Sequence, residues 1–223
     1  MRKLLLLSIA LIMLASIGVA IEHGTCPGDV DMQEHIRVTL GSKTYAIPRE
    51  NFAEGGGFLS GLLRTQPKAS DELLLKFDGQ ILQDLFGIDF QSEKLFVVEG
   101  GDRAERSKVD SIQRAHDVLF DGSEYLGRVV EFVPELDVYR VFRNDTITMF
   151  WDLSVVNPLE VGREDVNENS VIAACSSREG ENTCAFGFYF DGYVVRHNMP
   201  ERYAPLNSKI SKFVIQRLGE WKE

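Results

Sequence analysis

The chain is 223 residues long, 44% of them hydrophobic, and sets 24 basic against 34 acidic side chains, for a formal net charge of −10 at neutral pH. That length suits one domain or two small ones and leaves ample residues for a core. An acidic surface of this strength repels nucleic acid and anionic lipid, which excludes both as natural partners, while it can steer a basic protein into contact.

Arg2 and Lys3 form a short positive segment, residues 4–14 are apolar but for Ser8, and Gly18-Val19-Ala20 puts small residues before a cleavage point. Residues 1–20 are therefore expected to be a signal peptide cut after Ala20, leaving Ile21 as the first mature residue. The alternative is an uncleaved anchor, since residues 4–21 just reach the length of a bilayer span. No stop-transfer flank follows, and no later stretch is long and apolar enough to span, so stable membrane insertion after cleavage is not expected. His23-Gly24-Thr25 lacks the apolar residue that a lipid-attachment site at Cys26 requires. Either outcome places the rest of the chain outside the cytoplasm, in the periplasm, with the loss of Arg2 and Lys3 making it more acidic still.

Residues 21–34 read as a polar tail. Ile36, Val38 and Leu40 alternate with polar residues, Gly41-Ser42 turns the chain, and Tyr45 and Ile47 continue a second strand that Pro48 stops. A glycine-rich loop spans 52–57, with a turn or two of helix at 58–64. Residues 73–77 and 94–98 are short strands. Val109, Ile112, Ala115 and Leu119 recur at helical spacing, which predicts a surface helix over 103–119. Between 125 and 152 β-branched and aromatic residues predict further strands, turning at Asn144-Asp145. Residues 157–169 form a polar loop.

Strands are expected at 171–174, 185–190 and 193–196, with Asp191-Gly192 as a tight turn. Asn207 or Ser208 then caps a C-terminal helix whose apolar stripe is Ile210, Phe213, Val214, Leu218 and Trp221. Cys175 and Cys184 lie on either side of a polar stretch at a hairpin neck, so a disulfide between them is expected in an oxidising compartment, leaving Cys26 unpaired. Phe-Asp-Gly occurs at Phe77, Phe120 and Phe190 with irregular spacing, read as a strand end followed by a turn. A second echo, strand-turn-strand-proline, occurs before Pro48 and before Pro200; it would make two similar halves. The fold class is thus α+β, mainly antiparallel sheet with a few helices, as one domain over 35–223; any sub-domain boundary falls near 120–125.

Catalytic patterns fail when tested. Ser60 lacks the flanking glycines of a hydrolase elbow. Gly55-Gly56-Gly57 is not followed by the Lys-Ser/Thr of a phosphate loop. His23, His35, His116 and His197 show no metal-ligand spacing and are expected at surface or edge positions. Asp165, Asn167 and Asn169 copy half a calcium loop, but Ser170 and Ser176 stand where its glycine and bidentate glutamate belong. Asn144-Asp145-Thr146 is a glycosylation sequon, relevant only in a eukaryotic secretory host. Among the many carboxylates no pair is singled out for acid–base work. No catalytic, cofactor or metal residues are assigned, and no cofactor is expected.

The stretch from Cys184 to Pro200 with the helix ending at Trp221, and the segment Thr39 to Pro48, resemble elements of periplasmic immunity proteins that neutralise effectors of type VI secretion. The resemblance implies an inhibitor that blocks an effector enzyme by occlusion, with a protein partner and no catalysis of its own. An acidic domain could meet a basic toxin through loops at 54–57, 164–169 and 178–182, which makes Glu54, Glu164, Asp165, Glu168, Glu179 and Glu181 the expected contact residues. The alternatives are an envelope hydrolase with an acidic site and an envelope ligand-binding or structural protein.

Overall fold

The computed structural model describes residues 34–53, 68–89, 93–120, 127–142, 149–178 and 180–223. The expected signal peptide, Cys26, Glu54, the glycine-rich loop, the helix at 58–64, the Asn144-Asp145 turn and Glu179 lie outside these residues. Residues His35–Glu223 form one compact unit.

The alternating residues at the start build a small sheet. Strands β1 (His35–Leu40) and β2 (Lys43–Pro48) pair antiparallel, and β3 (Lys68–Ser70) joins β1 in parallel. Val38 and Leu40, with Tyr45 and Ile47 beside them, point into the core because each strand buries every second side chain. Gly41 turns the hairpin at φ +60°, and its Cα faces Gly101 so closely that an added Cβ would sit 3.1 Å from that backbone. Only glycine fits this approach.

The remaining strands are β4 (Glu72–Phe77), β5 (Lys94–Glu99), β6 (Val129–Val133), β7 (Val138–Phe142), β8 (Phe150–Ser154), β9 (Val171–Arg178), β10 (Glu181–Phe190) and β11 (Tyr193–Pro200). They form one eight-stranded sheet in the order β4-β5-β11-β10-β9-β8-β7-β6, with every pairing antiparallel. The β5–β11 pair joins a strand from before residues 120–125 to one from after them in a single sheet. Residues 134–137 add a turn that the sequence pattern had not marked, with Asp137 at φ 52°. At the other expected turn Asp191 and Gly192 take φ 51° and 78°, the left-handed pair that suits a two-residue hairpin.

Three helices complete the α+β fold among the described residues: α1 (Gly79–Phe86), α2 (Gly101–Leu119) and α3 (Asn207–Glu220). The first Phe-Asp-Gly element, expected to be a turn, starts a helix instead: after Phe77, Asp78 accepts from the Gln80 N–H at 2.8 Å and caps α1. The α2 stripe also shifts. Val109 is exposed, and the inward face is Ala104, Ser107, Ala115, Val118 and Leu119, because Ser107 turns in to a buried carboxylate. The expected cap of α3 is absent, since a 3₁₀ turn at Glu201–Leu206 feeds the helix directly and the Asn207 side chain is used elsewhere.

Alternation splits the large sheet into two faces. On one, α3 covers Phe96, Phe186, Val195 and Leu153, and Ile210, Val214 and Leu218 fill the gap. On the other, the C-terminal half of α2 packs Ala115, Val118 and Leu119 against Val141. The two proline-ended hairpins share a local shape, each passing into a 3₁₀ turn after Pro48 (φ −53°) or Pro200 (φ −55°). They sit in different sheets, however, the first in the small one and the second at the centre of the large one.

Cys175 and Cys184 are opposite each other in the β9–β10 register and form a disulfide, with Cα atoms 4.0 Å apart. The expected cysteine loop is shorter than the sequence suggests: both strands continue past the cysteines, and Arg178 already pairs with Glu181. The chain end is stitched back to the start. The Ala46 N–H donates to the Trp221 carbonyl at 2.8 Å, and the Glu223 N–H donates to the Thr44 carbonyl at 3.0 Å.

Candidate functional site

Two of the buried polar groups are structural. Glu201 lies beneath the sheet and receives the Arg140 guanidinium through two bonds of 2.6 and 2.7 Å, the Trp151 indole at 2.9 Å and the Asn182 amide at 2.9 Å. Burial alone would push this carboxyl up, but those donors outweigh it and hold it below the usual range. His197, expected at a surface or strand end, is instead buried in the middle of β11. Its Nε2 meets Asn207 Oδ1 at 3.0 Å, and its ring sits between Phe96 and Phe186. Burial pushes its pKa down to about 4, so it is neutral at ordinary pH.

The surface flanking α2 holds the groups free to meet another molecule. Near the start of the helix, Tyr189 of β10 donates to Glu105 at 3.0 Å, and the Lys108 ammonium lies 4.8 Å above its ring. Burial and the Glu105 hydrogen bond, with Glu168 and Asp191 close by, raise the phenol above its ordinary value, so it stays a protonated donor. The polar loop is pinned here: Asn169 donates to the Tyr189 carbonyl at 2.9 Å and accepts from its N–H at 2.8 Å. Asn167 accepts from the Asn169 N–H, and the Ser170 hydroxyl accepts from Asn167. Two of the three residues that copied half a calcium loop, Asn167 and Asn169, thus serve the backbone. Glu164 and Asp165 stand exposed on a 3₁₀ turn within this loop.

Of the expected contact residues, Glu164, Asp165 and Glu168 therefore share one loop, and Glu168 joins the acidic surround of Tyr189. Glu181 is at the opposite end of β10, away from them. Glu54 and Glu179 lie outside the described residues. Tyr189, Glu105 and Asp191 were missed because they come from three separate elements.

On the other side of α2 a groove of about 390 Å³ runs along the sheet. Its floor includes Ala174, Ala185 and Gly187, and its walls include Ser111, Arg114 and Arg196. A Cβ built at Gly187 would meet nothing within 4 Å, so the space above the strand is open. Arg114 pairs with buried Asp152. Arg196 pairs at 3.3 Å with buried Glu99, which also takes Arg103 at 3.2 Å and the Ser107 hydroxyl at 2.5 Å. Asp152 and Arg196 interrupt otherwise apolar strands, and Gly187 interrupts an aromatic one; those breaks were the sequence's signal for this face. Among the described residues no group of three or more His, Cys, Asp or Glu side chains is placed to hold a metal ion, and no helix is long and apolar enough to cross a membrane.

No family model and no curated protein matches the chain. Among solved structures, it is similar to Smlt3025, described as an immunity protein of the Stenotrophomonas maltophilia type IV secretion system. The two share 10% identity and a TM-score of 0.48, over 86% of this chain and 94% of that one.

Proposed function

We propose that this chain is an exported binding protein that neutralises a secreted effector by covering it, in the manner of a periplasmic immunity factor. The observation that carries the reading is the surface around Tyr189. There an aromatic hydroxyl is held rigidly among Glu105, Glu168 and Asp191, and the Asn169 clamp fixes the loop that bears Glu164 and Asp165. A fixed tyrosine ringed by carboxylates suits a basic protein surface, because the ring supplies contact area at low entropic cost and the charges steer encounter. The role described for Smlt3025 coincides with this reading, which does not rest on it. The Cys175–Cys184 disulfide suits an oxidising compartment and so agrees with export.

The test is a pull-down of the mature protein with envelope-targeted effectors of the same genome, followed by association kinetics. Neutralising Glu164 and Asp165 together, or Glu105 and Glu168 together, is expected to slow association about tenfold with little change in dissociation. The rate should also fall steeply with salt, since exposed charges are screened beyond roughly 8–10 Å. Association that ignores both salt and these substitutions removes the electrostatic mechanism, and substrate turnover by the purified domain removes the inhibitor reading. Mass spectrometry of exported protein checks the compartment: Ile21 is expected as its first residue.

A further inference from the structure

The groove beside α2 turns guanidinium donors outward, where the surface on the far side of the same helix turns carboxylates outward. Asp152 and Glu99 are buried beneath it, with 2% and 5% of their side-chain surface exposed, while their partners Arg114 and Arg196 show 44% and 46%. A visitor therefore meets guanidinium N–H groups whose orientation is set from below. Asn198 adds a side-chain amide on the same lining, and Asp110 at the rim is the opposing carboxylate. The floor is small: Ala174 and Ala185 pair across β9 and β10, and Gly187 leaves its place empty. Two half-exposed apolar side chains flank it on the same sheet face. Leu95 is two residues from Val97, which pairs with Arg196, and Phe150 is two residues from Asp152, which pairs with Ala174.

We infer that this groove receives an acidic side chain, Asp or Glu, projecting from a protein partner. The carboxylate would accept from Arg114 and Arg196, and the surrounding partner surface would cover Leu95 and Phe150. The outward guanidinium N–H groups select a carboxylate acceptor, and the apolar flanks select a protein over a small anion, which would leave them wet. This deepens the binding-protein reading and rests on it, since it gives the partner an acidic contact beside its basic one.

The experiment is an NMR titration of residues 21–223 with the capped peptide Ac-Gly-Glu-Glu-Gly-NH2, run against its Gln-Gln counterpart and against acetate at matched ionic strength. Saturable shifts are expected at the Nε–H signals of Arg114 and Arg196 and at the amides of Ala185 and Gly187, with the glutamate peptide alone. Arg196→Gln should weaken binding about tenfold, the loss of one charge-assisted bond. Gly187→Val leaves both arginines intact and should abolish the shifts by filling the floor; its own amide spectrum reports whether the fold is kept. If it does not fold, Ala185→Leu replaces it. Absent shifts, equal shifts with the glutamine peptide, or binding of acetate as tight as the peptide would each overturn the proposal. The titration needs no effector, so its failure leaves the acidic surface standing. Conversely, salt-insensitive effector binding removes that surface and leaves the groove.

Discussion

His197 shows how one misplaced expectation becomes a measurable property. The unfolded imidazole titrates at its ordinary value of 6.5 and the folded one at about 4, with burial as the main cause, opposed by the Asn207 bond, and Lys94 adding to the downward push. Between those values the unfolded chain binds a proton that the folded chain refuses. The stabilisation is therefore whole above the unfolded pKa and is lost as pH falls toward the folded one. It amounts to about 3 kcal/mol. Urea midpoints measured across that range should fall toward acid in the native protein. His197→Leu should flatten that part of the slope, while losing about 1 kcal/mol near neutrality with the Asn207 bond. Equal slopes in the two proteins would show that the ring titrates in the folded state as it does in the unfolded one. Nothing in the local sequence announces this burial, because a histidine after Val194, Val195 and Arg196 fits a strand end as well as a strand centre. What decides it is the packing of α3, which contributes Asn207 from beyond a 3₁₀ turn.

At the scale of the element, the hairpin of β9 and β10 was the most legible part of the chain and its bridge the most direct consequence. Two cysteines nine residues apart face each other across paired strands, so the bond closes a short loop. Replacing both with alanine should lower unfolding stability by about 2.5 kcal/mol in the chain-entropy account, read as a shift in denaturant midpoint with an unchanged amide spectrum. A midpoint that does not move would mean that the hairpin is already as restricted in the unfolded chain. Most strands were readable because alternation is a local signal and each strand buries one face, whereas the three residues of β3 are too few to show it. Helix α1 was not, since eight residues opening on Asp78-Gly79 carry the same letters as a turn. The sites were least readable of all: Tyr189 meets Glu105 from 84 residues away, and Arg114 meets Asp152 across 38. Sequence can show that Asp152 and Arg196 are out of place in apolar strands, but only the sheet order shows that they share a face with α2.

Across the whole molecule, the first hairpin and the last residues hold each other. Trp221 stacks on Phe77 with ring centres 6.2 Å apart, its carbonyl takes the Ala46 N–H, and Glu223 pairs with Arg37 at 2.8 Å. Removing residues 221–223 should destabilise the protein by about 2–4 kcal/mol, from a lost aromatic contact and two lost backbone bonds. Hydrogen exchange should then quicken in β2 well before it quickens in β9–β11; uniform quickening would mean that the small sheet does not open by itself. The same stitching sets a timetable. Arg37 and Glu223 are 186 residues apart, so the edge of the first hairpin closes only when a distant segment docks on it. Such long-range closure is slow to reach. A chain of this design folds with one edge left open, and that edge is the last seam to shut, when residues 221–223 dock on β2.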